Sequence, residues 1–149
     1  MSQANVEAAK RAIDAFNRRD VDDFARLTTS GRDLDAYDDL YDPDLEWFPA
    51  GPLALQGEGY AGYRGREGLE TYLRDRRLMW EAIRTVEAEF RDLGDCVLML
   101  GRLQVRVRNS GVTFDSPSRV IFDFRDGKIS RMRAYLAHGD ALRAASLAE

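Results

Sequence analysis

The amino-acid sequence predicts an α+β fold, in which a curved antiparallel sheet wraps around helices and leaves a mostly apolar cavity between them. The stretch from Gly94 to Leu136 has the alternation of three long strands. Turn-forming residues at 109–111 and 125–127 separate them. Helix-like segments precede this stretch and a short one follows it. The three predicted strands are Cys96–Arg108, Val112–Arg125 and Lys128–Leu136.

Length and composition indicate one domain, residues 1–149, of an ordinary soluble protein with 44% hydrophobic and 32% charged residues. No apolar run reaches membrane-helix length and the N-terminus lacks a secretory signal pattern, so we expect a cytoplasmic location and no membrane partner. The single cysteine, Cys96, excludes an internal disulfide. The net charge of −4 disfavours nucleic acid as a partner.

Helical periodicity defines the elements that would cover the sheet. A first amphipathic helix carries a buried stripe of Val6, Ala9, Ile13 and Phe16. Arg66–Trp80 is the clearest helix, with Leu69, Tyr72, Leu73 and Arg76 on its inner stripe. Shorter helices are predicted at 20–27 and 141–147 and a helical turn at 38–41. A polar loop is expected at 28–37, and short strands at 45–49 and 84–92, the latter with Val86, Ala88 and Phe90 on one face.

The hairpin register decides which side chains face inward. A two-residue Ser110–Gly111 loop pairs Asn109 with Val112 and places Leu100 opposite Ile121. A type I turn followed by a Gly127 bulge would bring Met132, Ala134 and Leu136 to the same face, although Ile129 and Tyr135 favour the opposite one. The predicted inner face comprises Met99, Gly101, Leu103, Val105, Val107, Phe114, Ser116, Ser118, Val120, Phe122 and Phe124.

The outer face of these strands combines arginine with apolar side chains. It is either a solvated mixed-charge surface or a subunit interface, because interfaces are enriched in arginine and depleted in lysine. We predict a homodimer packed sheet to sheet. The predicted dimer face consists of Leu98, Leu100, Arg102, Arg119, Ile121 and Arg133.

Several motifs, in order along nearly the whole chain, resemble SnoaL-like proteins of the nuclear-transport-factor-2-like superfamily, which includes ketosteroid isomerases. The motifs are residues 15–20, 41–47, 63–68, 92–95, 109–112, 124–129 and 135–142. The resemblance implies a cone-shaped, cystatin-like α+β fold that is usually dimeric and binds small, often apolar molecules in its cavity. Members include isomerases, cyclases, hydratases and hydrolases, so the fold alone does not give the function.

The catalytic residues of the ketosteroid isomerases are missing at the matching positions. Ala12 stands where the first-helix tyrosine is expected, and the two acids fall near Pro49 and Val120. His138 is interpreted as a surface residue, while Asp44 and Glu46 are interpreted as a turn residue and a solvated strand residue rather than a carboxylate pair. No metal or cofactor is expected, because neither a ligand cluster nor a Gly-rich phosphate loop occurs.

Polar exceptions on the inner faces are the strongest candidates for a site. Ser116, Ser118 and Arg76 need partners if buried, and those partners could be one another or a ligand. The leading hypothesis is a small-molecule-binding protein, and its enzymatic version is a cofactor-independent isomerase, cyclase or hydratase. The alternative is an interaction module with a filled core, which a cavity below roughly 300 Å³ would favour. The predicted pocket consists of Phe16, Trp47, Tyr72, Arg76, Trp80, Ser116, Ser118, Val120, Phe122 and Met132.

Overall fold

The structure, a computed structural model, describes residues 2–18, 40–50 and 62–135. Within these ranges it contains two long helices and one six-stranded sheet. The helices are α1 (Ser2–Arg18) and α2 (Gly65–Met79). The strands are β1 (Tyr41–Phe48), β2 (Tyr63–Arg64), β3 (Trp80–Asp92), β4 (Cys96–Val107), β5 (Thr113–Arg125) and β6 (Lys128–Tyr135).

The sheet has the order β2-β1-β6-β5-β4-β3 and is antiparallel except between β1 and β6. The predicted α+β class with a curved, mostly antiparallel sheet is therefore confirmed. The parallel β1–β6 pair was not predicted, because it joins strands far apart in the chain and leaves no turn signal. It aligns Trp47 with Met132.

Both helices cover the concave face of the sheet with the stripes that their periodicity predicts. Ala9, Ala12 and Ile13 of α1 are buried, as are Tyr72 and Arg76 of α2. Helix α2 ends where Trp80 adopts extended dihedral angles and its N–H bonds to the Arg76 carbonyl. The chain therefore passes from α2 into β3 without a loop.

Strand β1 begins earlier than predicted. The structure has an extended strand from Tyr41, where the sequence predicts the end of a helical turn. The Asp42 carboxylate accepts a hydrogen bond from the Asp44 backbone N–H at 2.8 Å, which supports the chain around Pro43. Leu40, directly before the strand, is helical as predicted, and residues 38 and 39 of the predicted helical turn at 38–41 lie outside the described residues.

The β4–β5 hairpin keeps the predicted faces but not the predicted register. Leu100 pairs with Arg119 and Leu98 pairs with Ile121, a shift of two residues. The turn is longer than two residues, because the Val107 N–H bonds to the Val112 carbonyl at 2.8 Å. An even shift leaves every side chain on its predicted face, so the inner face is correct while the predicted Leu100–Ile121 pair is wrong.

Strand β6 contains a bulge, but at Ser130 and not at Gly127 as predicted. Asp126 and Gly127 both have positive φ, at 53° and 79°, and form a two-residue turn rather than the predicted type I turn with a bulge. The register then shifts between the Asp123 and Phe124 pairs, which leaves Ser130 as the extra residue. Ile129 and Met132 consequently both face the core.

A second bulge overturns the predicted alternation in β3. The register shifts between Val86 and Glu89, and Glu87 has a positive φ of 55°. Val86 therefore pairs with Arg102 of the outer face, whereas Phe90 pairs with Met99 of the inner face. The prediction that Val86, Ala88 and Phe90 share a face is wrong, because the bulge interrupts the period of two on which the alternation depends.

Some predicted features fall outside the described residues: the helices at 20–27 and 141–147, the loop at 28–37, Leu136 and His138. Neither described helix is long and apolar enough to span a membrane.

Candidate functional site

A small cavity lies between the two helices and the concave face of the sheet. Its volume is about 40 Å³, which is room for roughly three water molecules. Ligand pockets typically exceed roughly 300 Å³, so this cavity is much smaller than an ordinary ligand pocket. It is lined by Ile13, Phe16, Asn17, Trp47, Tyr72, Arg76, Ile83, Arg84, Thr85, Met99, Leu103, Ser118, Val120, Phe122 and Met132.

The predicted pocket residues come together here with two exceptions. Trp80 lies further along the concave face, where its ring meets the Phe114 ring edge to face at 5.9 Å. Ser116 does not line the cavity, and its hydroxyl has a long 3.4 Å contact with the Pro117 carbonyl. Both follow from the hairpin, because Ser116 and Phe114 lie one and two inward-facing positions beyond Ser118 along β5.

Arg76 points inward, and its guanidinium group joins three elements. Its Nη2 donates to the Ile83 carbonyl of β3 at 2.8 Å and to the Phe16 carbonyl of α1 at 3.2 Å. Its Cζ also lies 5.8 Å from the centre of the Phe16 ring, which is within cation–π range. Arg76 therefore connects α2 to the last turn of α1 and to β3 through hydrogen bonds.

Asn17 is a lining residue that the sequence argument missed. Its side-chain amide donates to the Thr85 carbonyl and accepts from the Thr85 N–H, both at 2.8 Å. The amide thus pairs with the edge strand β3 as a neighbouring strand would. Asn17 directly follows the predicted buried stripe, and its polarity alone does not distinguish a residue that ends a helix from one that pairs with a strand.

Tyr72 is fully buried at the centre of an aromatic cluster. Its ring meets the Trp47 ring at 5.5 Å and the Tyr63 ring at 5.1 Å, both edge to face. Burial raises the pKa of Tyr72 far above its ordinary value of 10.0, and the nearby Arg76 charge offsets this only in part. The Tyr72 hydroxyl is therefore a neutral group at physiological pH.

Two buried polar atoms of the cavity lining have no hydrogen-bond partner among the residues that the structure describes. They are the indole Nε1 of Trp47 and the hydroxyl Oγ of Ser118. Trp47 is 4% exposed and Ser118 is 3% exposed, so bulk water does not satisfy them. Burial is the main cause of the raised pKa of Tyr72, and the Trp47 indole lowers that pKa as a nearby hydrogen-bond donor. Trp47 Nε1 nevertheless makes no hydrogen bond of good geometry with the described residues. Unpaired buried groups are rare and indicate a place for water or a ligand atom.

The paired-carboxylate alternative is not supported by the geometry. Asp44 is exposed and lies within β1 directly after Pro43, so its interpretation as a turn residue is wrong, while Glu46 bonds to Arg64 at 3.0 Å on the surface of β1 and β2. Neither residue lines the cavity. Among the described residues, no group of three or more His, Cys, Asp or Glu side chains could hold a metal ion.

The outer face of the sheet contains a second apolar cluster. Leu98 and Ile121 are fully buried within one chain, together with Cys96. They therefore belong to the core of the chain itself, and Leu100 is the accessible apolar member of the predicted dimer face. Leu100, Arg102 and Arg119 line an open groove of about 410 Å³ on this face.

The arginines of the outer face are held by ion pairs and backbone bonds. Arg102 bridges Glu87 at 3.0 Å and Asp115 of β5, and the hydrogen bond from Arg102 lowers the pKa of Glu87. Arg119 donates to the Gly101 and Ser118 carbonyls. Arg131 and Arg133 also bond to the single carboxylate of Asp123.

Comparison with known proteins places this geometry among related folds. The sequence matches the family model of the SnoaL-like domain over residues 9–132. A search of curated protein sequences finds no match. An NTF2-like protein of unknown function from Burkholderia pseudomallei has a similar structure, with 18% identity, a TM-score of 0.69 and coverage of 94% of this chain and 95% of that chain.

Two further solved structures are similar to the same extent. A putative polyketide cyclase from Xanthomonas campestris pv. campestris has 19% identity, a TM-score of 0.67 and coverage of 93% of each chain. TerC, co-crystallised with polyporic acid, has 23% identity, a TM-score of 0.67 and coverage of 94% of this chain and 96% of that chain. At these identities the likeness shows the fold.

Proposed function

Because the chain belongs to the SnoaL-like domain family, we propose that it binds a small, largely apolar molecule whose oxygen acceptor enters the cavity. The family match confirms the resemblance seen in the sequence. The similarity to a putative polyketide cyclase and to a protein co-crystallised with polyporic acid supports a small-molecule role. The observation that carries the proposal is the pair of unpartnered groups, Trp47 Nε1 and Ser118 Oγ, on the wall of one apolar cavity.

The chemistry of these groups defines what would bind. An indole N–H only donates, while a serine hydroxyl donates or accepts. A buried donor without a partner costs about 1 to 3 kcal/mol, and an acceptor oxygen that bonds to such a donor removes that cost. The apolar lining of Ile13, Val120 and Phe122 favours a hydrocarbon neighbour for that oxygen. A carbonyl compound fits this combination.

The catalytic version of the proposal is cofactor-independent isomerisation, cyclisation or hydration of such a carbonyl compound. Ser118 and Trp47 would orient and polarise the carbonyl oxygen, as hydrogen-bond donors do where negative charge develops. Arg76 would act by its charge, since its Nη2 already bonds to two backbone carbonyls. Tyr72, neutral because of its raised pKa, would serve as a hydrogen-bonding group and not as a base.

Acetone tests the binding proposal, because its carbonyl and two methyl groups approach the size of the cavity. Titration of the ¹⁵N-labelled protein with acetone is expected to shift the indole N–H resonance of Trp47 in a saturable way. Ser118→Ala should weaken binding about 3- to 10-fold, the equivalent of one hydrogen bond. Ser116→Ala is the matched control, since Ser116 lies outside the cavity. Equal affinity of all three proteins for acetone would contradict the proposal.

A second function is favoured by the small size of the cavity and by the groove on the outer face. In this alternative the chain works as a homodimer or interaction module through Leu100, Arg102, Arg119 and Arg133. The charged groups are pre-arranged by intrachain bonds, so little side-chain entropy is lost on association. Light scattering at micromolar concentration should give the mass of a dimer, and a monomer would exclude this interface.

A further inference from the structure

We infer that Phe16 determines the size of the molecule that the cavity accepts, an inference that rests on the proposed function. With the Phe16 ring in place the cavity has about 40 Å³, which admits the carbonyl end of a small acyclic compound. Without the ring the same site would accept a carbonyl attached to an aromatic ring. Phe16 is thus a specificity-determining residue, while Ser118 and Trp47 bind the oxygen.

Phe16 is the least buried of the four aromatic residues in the cavity wall. It lies in the last turn of α1 and is only half-buried, whereas Tyr72, Phe122 and Trp47 are buried in the core. Its ring is 6.4 Å from the Trp47 ring at a tilt of 37°. The ring therefore closes the side of the cavity next to one of the two unpartnered donors.

The backbone around Phe16 is fixed by polar contacts that do not depend on its ring. Arg76 bonds to the Phe16 carbonyl, and the following residue, Asn17, bonds to both backbone groups of Thr85. These bonds involve the main chain of residue 16 and the side chain of its neighbour. A smaller side chain at position 16 is therefore expected to leave the last turn of α1 in place and to enlarge the cavity.

The enlarged cavity would approach the size of engineered cavities that bind an aromatic ring. Engineered apolar cavities of about 150 Å³ bind benzene, and a phenylalanine ring occupies nearly the space of one benzene molecule. The freed volume would be lined by Ile13, Trp47 and the flat face of the Arg76 guanidinium group. An aromatic ketone could then place its ring where Phe16 was and its oxygen at Trp47 and Ser118.

The test is a series of methyl ketones of increasing size: acetone, acetophenone and 2-acetylnaphthalene, titrated by NMR at the Trp47 indole N–H. The wild type should bind acetone at least as tightly as acetophenone. Phe16→Ala should bind acetophenone at least tenfold more tightly than the wild type does, and Phe16→Leu should shift the preference in the same direction with less loss of stability.

Phe124→Ala is the matched control, because Phe124 is a half-buried phenylalanine on the same core cluster that does not line the cavity. It should leave the size preference unchanged. If Phe16→Ala and Phe16→Leu keep the wild-type preference while Ser118→Ala still weakens acetone binding, the inference is wrong and the proposed function stands. If Ser118→Ala has no effect on any ketone, the proposed function fails, and the inference fails with it.

Discussion

At the scale of a single residue, the burial of Tyr72 predicts a measurable effect of alkaline pH on stability. Its pKa is raised above the ordinary value of 10.0 in the folded protein, so the unfolded chain loses this proton first. The contribution of Tyr72 to the free energy of unfolding is fully present below pH 10 and declines as pH rises toward the folded-state pKa. From pH 8 to pH 11 the wild type should lose about 1 kcal/mol of unfolding free energy through this group alone.

Tyr72→Phe isolates this contribution, because phenylalanine has no proton to lose. Urea unfolding at pH 8 and pH 11 should show a loss that is about 1 kcal/mol smaller in the variant than in the wild type. The other tyrosines contribute equally to both proteins. Identical pH dependence of the two proteins would show that Tyr72 ionises normally in the folded state.

Single residues also show where the sequence was informative about the site. Ser118 and Arg76 were identified as polar positions on apolar stripes, a pattern that marks burial with a specific partner. Ser116 has the same pattern but lies beyond the cavity, since alternation gives the face and not the distance along the strand. Asn17 could not be identified, because its partner is the backbone of Thr85, 68 residues away.

At the scale of elements, the junction of α1 with β3 depends on Asn17. Asn17→Ala removes two hydrogen bonds to the half-buried backbone of Thr85 and should lower the unfolding free energy by about 1 to 3 kcal/mol. Asn17→Asp should not restore it, because a carboxylate cannot donate to the Thr85 carbonyl. Urea unfolding at neutral pH measures both variants, and a loss below about 0.5 kcal/mol for Asn17→Ala would contradict the strand-like role.

The turn between β5 and β6 gives a second prediction for an element. Gly127 has a φ of 79°, and a Cβ added there would meet no atom within 4 Å. Gly127→Ala should therefore destabilise the protein by about 1 to 2 kcal/mol through backbone strain alone. Gly127→Asn should cost less, since asparagine adopts this conformation more readily. An alanine variant as stable as the wild type in urea would mean that the turn adopts another conformation.

The elements also show why the sequence predicted faces better than registers. Alternation in β4 and β5 assigns each side chain to a face, and a shift of two residues leaves that assignment unchanged. A bulge, in contrast, inserts one residue and therefore changes the face of every side chain beyond it. The extra residues near Glu87 in β3 and at Ser130 in β6 reverse the alternation beyond them, and neither position carries the glycine that usually marks a bulge.

At the scale of the whole molecule, the outer face of the sheet contains both residues of the chain's own core and residues of the proposed dimer interface. Leu98 is fully buried in one chain, so Leu98→Ala should destabilise the protein by about 2 to 5 kcal/mol at any protein concentration. Leu100 lines the open groove between Arg102 and Arg119. Because Leu100 is only partly buried against the cluster of Cys96, Leu98 and Ile121, its replacement should cost less stability than Leu98→Ala and should weaken association.

The proposed homodimer therefore predicts a melting temperature that depends on protein concentration. A dimer that dissociates on unfolding is stabilised by mass action, so the wild-type Tm should rise between 1 and 100 µM protein. Leu100→Asp places a carboxylate in the middle of the proposed interface and should remove this dependence, with a monomer mass by light scattering. Leu98→Ala should lower the Tm at every concentration and keep the slope. A wild-type Tm that is independent of concentration, together with a monomer mass, would exclude the sheet-to-sheet dimer and leave the cavity as the functional site.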